Sequence, residues 1–213
     1  MDNIDKILRY TPATIVGPII DVLKAKRVPF VKSSPGMGKS DIIKNIADEF
    51  NLKIIDHRLA QSDPTDLMGF PNIVEGRSKY FPPETFPLEG DSLPKGKNGW
   101  LLFLDEINSA PPSVQAASYK LILDRAIGDK NLHEQVAIVC AGNLSSDKAI
   151  VNFMGTAMQS RLVHLEMQAD HEGWVNWAVD HDIDYRIRAF IRFKPAMLHN
   201  FDPNHDDNTF PCP

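Results

Sequence analysis

Pro29-Phe-Val-Lys-Ser-Ser-Pro-Gly-Met-Gly-Lys-Ser40 is the stretch on which the rest of the chain is read. Its first five residues are a short buried-strand pattern, and a glycine-containing turn follows. From about Lys39 to Phe50, Ile42, Ile43, Ile46, Ala47 and Phe50 then recur at helical spacing. A strand that enters a helix through such a turn offers successive backbone N–H groups and a helix N-terminus to an anion. In a phosphate-binding loop of this kind, Gly36 and Gly38 let the backbone approach the phosphates. Lys39 reaches the β- and γ-phosphates, the Ser40 hydroxyl ligates Mg²⁺, and Ser34, Pro35 and Met37 complete the loop. Ser33 stands where the usual pattern carries glycine. The bland alternative is a glycine turn ahead of a helix.

Working outward, Trp100-Leu-Leu-Phe-Leu104 is a continuous apolar run of the sort that forms a central parallel strand covered on both faces. Asp105 and Glu106 follow it directly. An Asp at that strand end can hold the Mg²⁺ hydration shell through water, and the adjacent Glu can orient and polarise an attacking water. The pair favours hydrolysis over transfer to a small acceptor, from which water has to be excluded. Its structural alternative is an acidic pair ahead of the next helix, which Asn108 or Ser109 would cap with Pro111 or Pro112 in the first turn.

Five strands alternate with helices: Pro29–Ser33, Leu52–Leu59, Trp100–Leu104, Gln135–Ala141 and Leu162–Glu166. That alternation predicts an α/β parallel sheet. Ahead of it, Ile4, Ile7 and Leu8, then Ile15, Ile19, Val22 and Leu23, read as helix faces. Behind it, Trp174, Trp177, Ile187, Phe190 and Ile191 anchor helices up to about His199, and Asp202–Asp207 reads as a frayed tail. Between Gln61 and Gly99 lie six of the 16 prolines and five of the 12 glycines, with Phe70, Tyr80, Phe81 and Phe86. A segment so long inside a compact domain is read as an insertion carrying short helix or hairpin pieces. Asp63-Pro-Thr-Asp66 within it suits a turn and helix cap.

Pro35-Gly-Met-Gly-Lys-Ser40, Leu104-Asp-Glu-Ile-Asn-Ser-Ala-Pro-Pro112, Ala141-Gly-Asn143 and Ser160-Arg161 together resemble the successive motifs of AAA+ ATPases, including Walker A and Walker B. The nearest branch is the MoxR-like group with its small bacteriophage-type members. The resemblance implies a P-loop NTPase fold with a five-stranded parallel sheet of order 5-1-4-3-2 flanked by helices, and a short or truncated helical C-terminal lid. It implies an AAA+ domain over 1–167, with the insertion at about 61–99, and a partial lid and loose tail over 168–213. ATP and Mg²⁺ are the implied cofactors, and ATP hydrolysis the implied activity.

By the same resemblance, Asn143 matches sensor 1 and would position the water, while Glu106 activates it. Arg161 matches an arginine finger reaching the neighbouring subunit's γ-phosphate, with an ordinary surface arginine as its alternative. Arg125 is a second candidate to face a neighbour. Phe70, Tyr80 and Phe81 would line a central pore, or else pack locally. The implied partners are further copies in a ring, expected to be a hexamer, and a protein client remodelled by the ring, for which a von Willebrand factor A domain protein is one option. A DNA-handling motor and an ATP-dependent assembly switch with little hydrolysis are the alternatives. Arg186, Arg188 and Arg192 lie on a helix, and none is singled out as sensor 2.

The 213 residues carry 23 Lys+Arg and 28 Asp+Glu, a net charge of −5, which argues against a protein coating nucleic acid indiscriminately. Cys140 and Cys212 are too few for a disulfide framework. The seven histidines form no metal signature. The charged amino terminus does not read as a signal peptide, and no run approaches the ~18 apolar residues of a membrane span. The expected location is cytoplasmic, the host cytoplasm if phage-encoded.

Overall fold

The computed structural model describes residues 9–144, 152, 154–201 and 211–213. The helix face read over Ile4, Ile7 and Leu8, and the tail Asp202–Asp207 with His205, lie outside the described residues.

A parallel sheet is the centre of the molecule. Its strands are β1 (Arg9–Tyr10), β2 (Val28–Ser33), β3 (Lys53–Arg58), β6 (Trp100–Asp105), β9 (Val136–Asn143) and β10 (Leu162–Met167). They lie in the order β1-β10-β2-β9-β6-β3. The expected sheet of five strands is therefore corrected to six. The additional strand, Arg9–Tyr10, pairs parallel with Glu166–Met167 at the sheet edge, where Arg9 meets the Glu166 carboxylate at 3.1 Å. Two residues are too few to show a period of two, so the sequence pattern does not reveal this strand.

All six residues of β6 are buried, because the strand lies between β3 and β9 and has helices over both faces. Leu101 and Phe103 point into one layer with Ile15, Ile19, Ile43 and Ile46, which come from the entrance to α1 (Val16–Lys24), from α1 and from α2 (Lys39–Glu49). Leu102 and Leu104 point into the other, with Val114 and Leu121 of α4 (Pro112–Leu123) and Met158 of α5 (Thr156–Gln159). Strand alternation thus divides one apolar run between two cores.

The 61–99 insertion opens with a 3₁₀ turn, Leu59–Gln61, and α3 (Pro64–Met68). Asp63 caps α3, and Asp66 answers its backbone N–H in a capping box. An antiparallel hairpin follows, β4 (Phe70–Val74) with β5 (Arg77–Phe81). Leu67 and Phe86 root the insertion in the core, while Phe70, Ile73, Tyr80 and Phe81 stand exposed on the hairpin. A smaller hairpin, β7 (Ala126–Ile127) with β8 (Lys130–Asn131), follows α4. After β10, α6 (His171–Asp180), α7 (Tyr185–Phe193) and a 3₁₀ turn at Pro195–Met197 pack around Val175, Ile191 and Leu198.

Two helix ends are unusual. Lys26 after α1 (φ 54°) and Arg125 after α4 (φ 53°) take the left-handed conformation in which glycine is the low-cost choice. Each costs about 1–2 kcal/mol for a side chain with no preference for that region.

Leu102→Ala should destabilise the fold by about 2–5 kcal/mol, the range for emptying a packed core site. Ile73→Ala, at 77% exposure on the hairpin, should change it by less than about 0.5 kcal/mol. Urea unfolding of both variants checks the contrast.

Candidate functional site

Parallel register brings the ends of four strands to one edge of the sheet. Ser33 of β2 is level with Asn143 of β9, and Arg58 of β3 with Asp105 of β6. Because β9 lies between β2 and β6, the Ser33 end of β2 and Asp105 are separated by two strand spacings, about 10 Å of backbone that side chains and a ligand can bridge.

The loop from Ser33 to Gly38 turns on two residues in the left-handed region, Gly36 and Gly38, both at φ 75°. Gly38 is the N-cap of α2 and supplies no side chain to the first-turn amides, which suits an anion at that end. Lys39 folds back over the loop, its Nζ donating to Ser33 Oγ at 3.0 Å and to the Ser33 and Ser34 carbonyls at 3.4 Å. Met37 is buried under the loop, and Ser40 lies half-buried in the first helical turn.

Asp105 is 9% exposed. Burial raises its carboxyl above the ordinary value, against the pull of the Glu106 N–H and of the Lys39 and Arg58 charges; Asp56 pushes the same way as burial. Glu106 sits at φ 57°, a left-handed conformation that a glutamate adopts only when its surroundings impose it. The imposing contacts are the 2.8 Å bond from its N–H to Asp105 Oδ1 and the acceptance of the Ser109 and Ala110 N–H groups by its carbonyl.

Asn108 is not the helix cap expected of it: α4 begins at Pro112 after Pro111, with no side-chain cap. Instead Asn108 clamps the end of β9. Its Nδ2 donates to the Asn143 carbonyl at 2.7 Å, and its Oδ1 accepts the Asn143 N–H at 3.1 Å. Gly142 makes room for this, since a Cβ there would collide with the Asn108 carboxamide. The clamp fixes the backbone of Asn143 beside the loop.

Ser34 to Ser40, Asp105, Glu106 and Asn143 therefore share one edge. Arg161 does not. It precedes β10 at the far edge, where Leu162 pairs with Val28, roughly 17 Å along β2 from Ser33. Its Nη1 donates to the Ala157 carbonyl at 3.0 Å. Arg125 is turned inward, and its Nη2 donates to the His133 and Val136 carbonyls.

Two features went unnoticed in the sequence. Arg58 brings a charge to the strand end beside Asp105, and only the register of β3 against β6 reveals it. Cys212 packs on Gly36: a Cβ at position 36 would lie 2.5 Å from the Cys212 Cβ and 2.7 Å from its Sγ. The Asn200 N–H holds this segment through the Pro211 carbonyl at 3.2 Å.

The donor set suits Mg²⁺, which takes one or two protein oxygens and fills its octahedron with water and phosphate. Ser40 and the desolvated Asp105 carboxylate provide such a pair. Among the described residues no group of three or more His, Cys, Asp or Glu could hold a metal by itself. No helix of the described residues is long and apolar enough to cross a membrane.

The chain is similar in fold to a solved structure of a "putative ATPase" from Cytophaga hutchinsonii, with a TM-score of 0.57 and 16% identity over 80% of this chain and 50% of that one. It thus spans about half the length of the structure it matches. No family model and no curated protein matches the sequence. Fold and loop together are those of an α/β protein, a six-stranded parallel sheet flanked by helices with a glycine-containing turn between β2 and α2.

The raised carboxyl of Asp105 has a definite sign in stability. Its folded value lies above its unfolded one, so ionisation costs stability. That cost is absent below the unfolded value and complete above the folded one. Asp105→Asn keeps the acceptor for the Glu106 N–H and removes the charge. It should melt above the parent at pH 7, by on the order of 1 kcal/mol or about 2–4 °C. The two melting curves should converge below about pH 4. At the loop, an anion on the amides competes with Cys212 for the space over Gly36. Saturating ATP should therefore change the alkylation rate of exposed Cys212, while fully buried Cys140, its thiol pushed far up by burial, stays silent. Mass spectrometry of the alkylated chain reads both sites.

Proposed function

We propose that this chain is an Mg²⁺-dependent ATPase of the AAA+ type, MoxR-like in its motifs, which assembles with further copies of itself and uses hydrolysis to remodel a protein partner. The observation that carries the reading is the convergence of a Gly-Lys-Ser loop and an Asp-Glu pair on one edge of a parallel sheet, with Asn143 level with Ser33 on the strand between them. The likeness to a structure described as an ATPase agrees with it at the level of fold.

In this reading the amides from Ser34 to Ser40 bind the β- and γ-phosphates. Lys39 exchanges the carbonyls and hydroxyl it now contacts for phosphate oxygens. Ser40 and Asp105 would hold Mg²⁺, the latter through water, and the ion would supply positive charge against the phosphate oxygens. Glu106 accepts a proton from a water whose oxygen forms the new bond to the γ-phosphorus, as the bond to the ADP oxygen breaks. Asn143 orients that water with its carboxamide. Arg161, remote from its own loop, acts on the nucleotide of an adjacent copy.

The protein-remodelling part is supported by the β4–β5 hairpin. It presents Phe70, Ile73, Tyr80 and Phe81 to solvent at the end of a rooted insertion, which suits gripping a polypeptide better than tracking phosphates.

Lys39→Ala should weaken ATP binding about 10–100-fold, the range for losing one charged hydrogen-bond donor. Glu106→Gln should still bind ATP and turn over about 10²–10⁴-fold more slowly. Wild-type turnover in Glu106→Gln, measured by phosphate release, would remove the catalytic assignment. Arg161→Ala should lose ~10³-fold or more in rate and recover part of it when mixed with Lys39→Ala protein. Absence of recovery in demonstrated mixed assemblies would count against action between copies.

A further inference from the structure

The turn between β2 and α2 is not open along its whole length. Gly36 and Gly38 share φ 75°, but their surroundings differ. A Cβ at Gly38 would meet nothing within 4 Å, whereas one at Gly36 would lie 2.5 Å from the Cys212 Cβ and 2.7 Å from its Sγ. Cys212 therefore sits directly on the Gly36 Cα, at a residue whose missing side chain would otherwise leave the loop backbone open to a ligand. Half of the loop is covered and half is not.

The covering segment is held from the helix pair. Leu198, 4% exposed, packs with Val175 of α6 and Ile191 of α7. Two residues on, the Asn200 N–H donates to the Pro211 carbonyl at 3.2 Å and so clasps Pro211–Pro213 at the loop. The hold is light. Pro211 and Pro213 have no N–H to donate, and among the described residues the Asn200 bond is the only hydrogen bond to this segment. All three residues are exposed on their outer side. His199, between the anchor and the clasp, has its Nε2 buried with no hydrogen-bond partner, so this arrangement carries a desolvation cost. A cover held by one bond, beside an unsatisfied polar atom, is one that a competing ligand can lift.

We propose that Pro211–Pro213 is an autoinhibitory strap. Cys212 occupies the space over Gly36 that a phosphate oxygen needs, and phosphates enter the loop only as the strap lifts and the Asn200 clasp opens. This regulation rests on the proposed function, because it acts on the same loop. The chain then divides between a closed and an open form, and its apparent affinity for ATP is reduced by the closed fraction. A cover made of one side chain and one hydrogen bond should reduce that affinity by about 3–10-fold. The strap acts through the bulk of the Cys212 Cβ and Sγ, not through thiol chemistry.

The test is calorimetry with ATP and Mg²⁺ on the full chain, comparing the parent with Cys212→Gly and Cys212→Ser. Cys212→Gly removes both covering atoms and should bind ATP about 3–10-fold more tightly. Cys212→Ser keeps a Cβ and puts an oxygen in place of the sulfur, so it should stay within about twofold of the parent. In the nucleotide-free chain, hydrogen exchange at the Gly36 to Gly38 amides should quicken several-fold in Cys212→Gly. Because position 212 is exposed, neither substitution should move the thermal midpoint. Tighter binding and faster exchange in Cys212→Gly, with parent-like Cys212→Ser, support the strap. So does binding by Cys212→Gly when the parent binds none. Equal ATP binding by parent and Cys212→Gly overturns the strap and leaves the proposed function standing. Tighter binding without faster exchange, or equal tightening by Cys212→Ser, also overturns it, since the gain would not come from uncovering the loop. Binding by neither parent nor Cys212→Gly ends the proposed function and the strap with it.

Discussion

Asp105 is a carboxyl group that the sheet takes out of water. The strand that carries it is buried along its whole length, so its end is fixed by packing on both faces and cannot move to solvate the charge. Lys39, Arg58 and the Glu106 N–H oppose the cost of burial without cancelling it. In the proposed function, a cation brought in with phosphates would satisfy this carboxylate and the loop amides together, and binding would recover the cost that burial imposes on the ligand-free chain.

The same packing explains the conformation of Glu106. Its left-handed backbone follows from what its neighbours require. The Asp105 carboxylate takes its N–H, its carbonyl receives two N–H groups from the turn before α4, and the Ile107 N–H is claimed by Ala141 on β9. These bonds join β6 to β9 at the place where Asn108 joins them again through Asn143. The water-activating and water-positioning side chains of the proposed mechanism therefore stand on one cross-braced corner, so their spacing is set by the scaffold and not by loop dynamics.

The parts of this arrangement readable from the chain alone were those whose chemistry is local. The run from Trp100 to Leu104 has no polar interruption and can only be a strand covered on both faces, and Gly36-Met-Gly-Lys-Ser40 joins a strand to a helix whatever surrounds it. Asp63 as a cap is equally local. What was hidden depends on distant partners. Arg9–Tyr10 is a strand only because β10 offers it an edge. Asn108 has the composition of a cap and is taken by Asn143, 35 positions away. The apposition of Cys212 and Gly36 joins segments with no common pattern, and Arg58 reaches Asp105 through strand register. The charge at Lys26 and Arg125 was visible, but its strain was not, because a left-handed lysine has no signature in sequence.

Taken together, the two edges of the sheet are chemically unlike. The edge with the loop gathers Asp56, Asp105 and Glu106, whereas the other gathers Lys24, Lys26, Arg27, Arg125 and Arg161, none of them in an ion pair among the described residues. A single chain cannot bring them together, because they are separated by the length of the strands. Two copies can, when the edge of one faces the edge of the next. That contact is heterologous, with each copy using a different face toward either neighbour, and repetition of it closes into a ring when the rotation per step divides a full turn. In the proposed function, the sheet polarity that would put catalytic groups at the carboxyl ends of parallel strands would also leave the amino ends to face a neighbour. In the proposed assembly, the length of β2 is what keeps one copy from doing both.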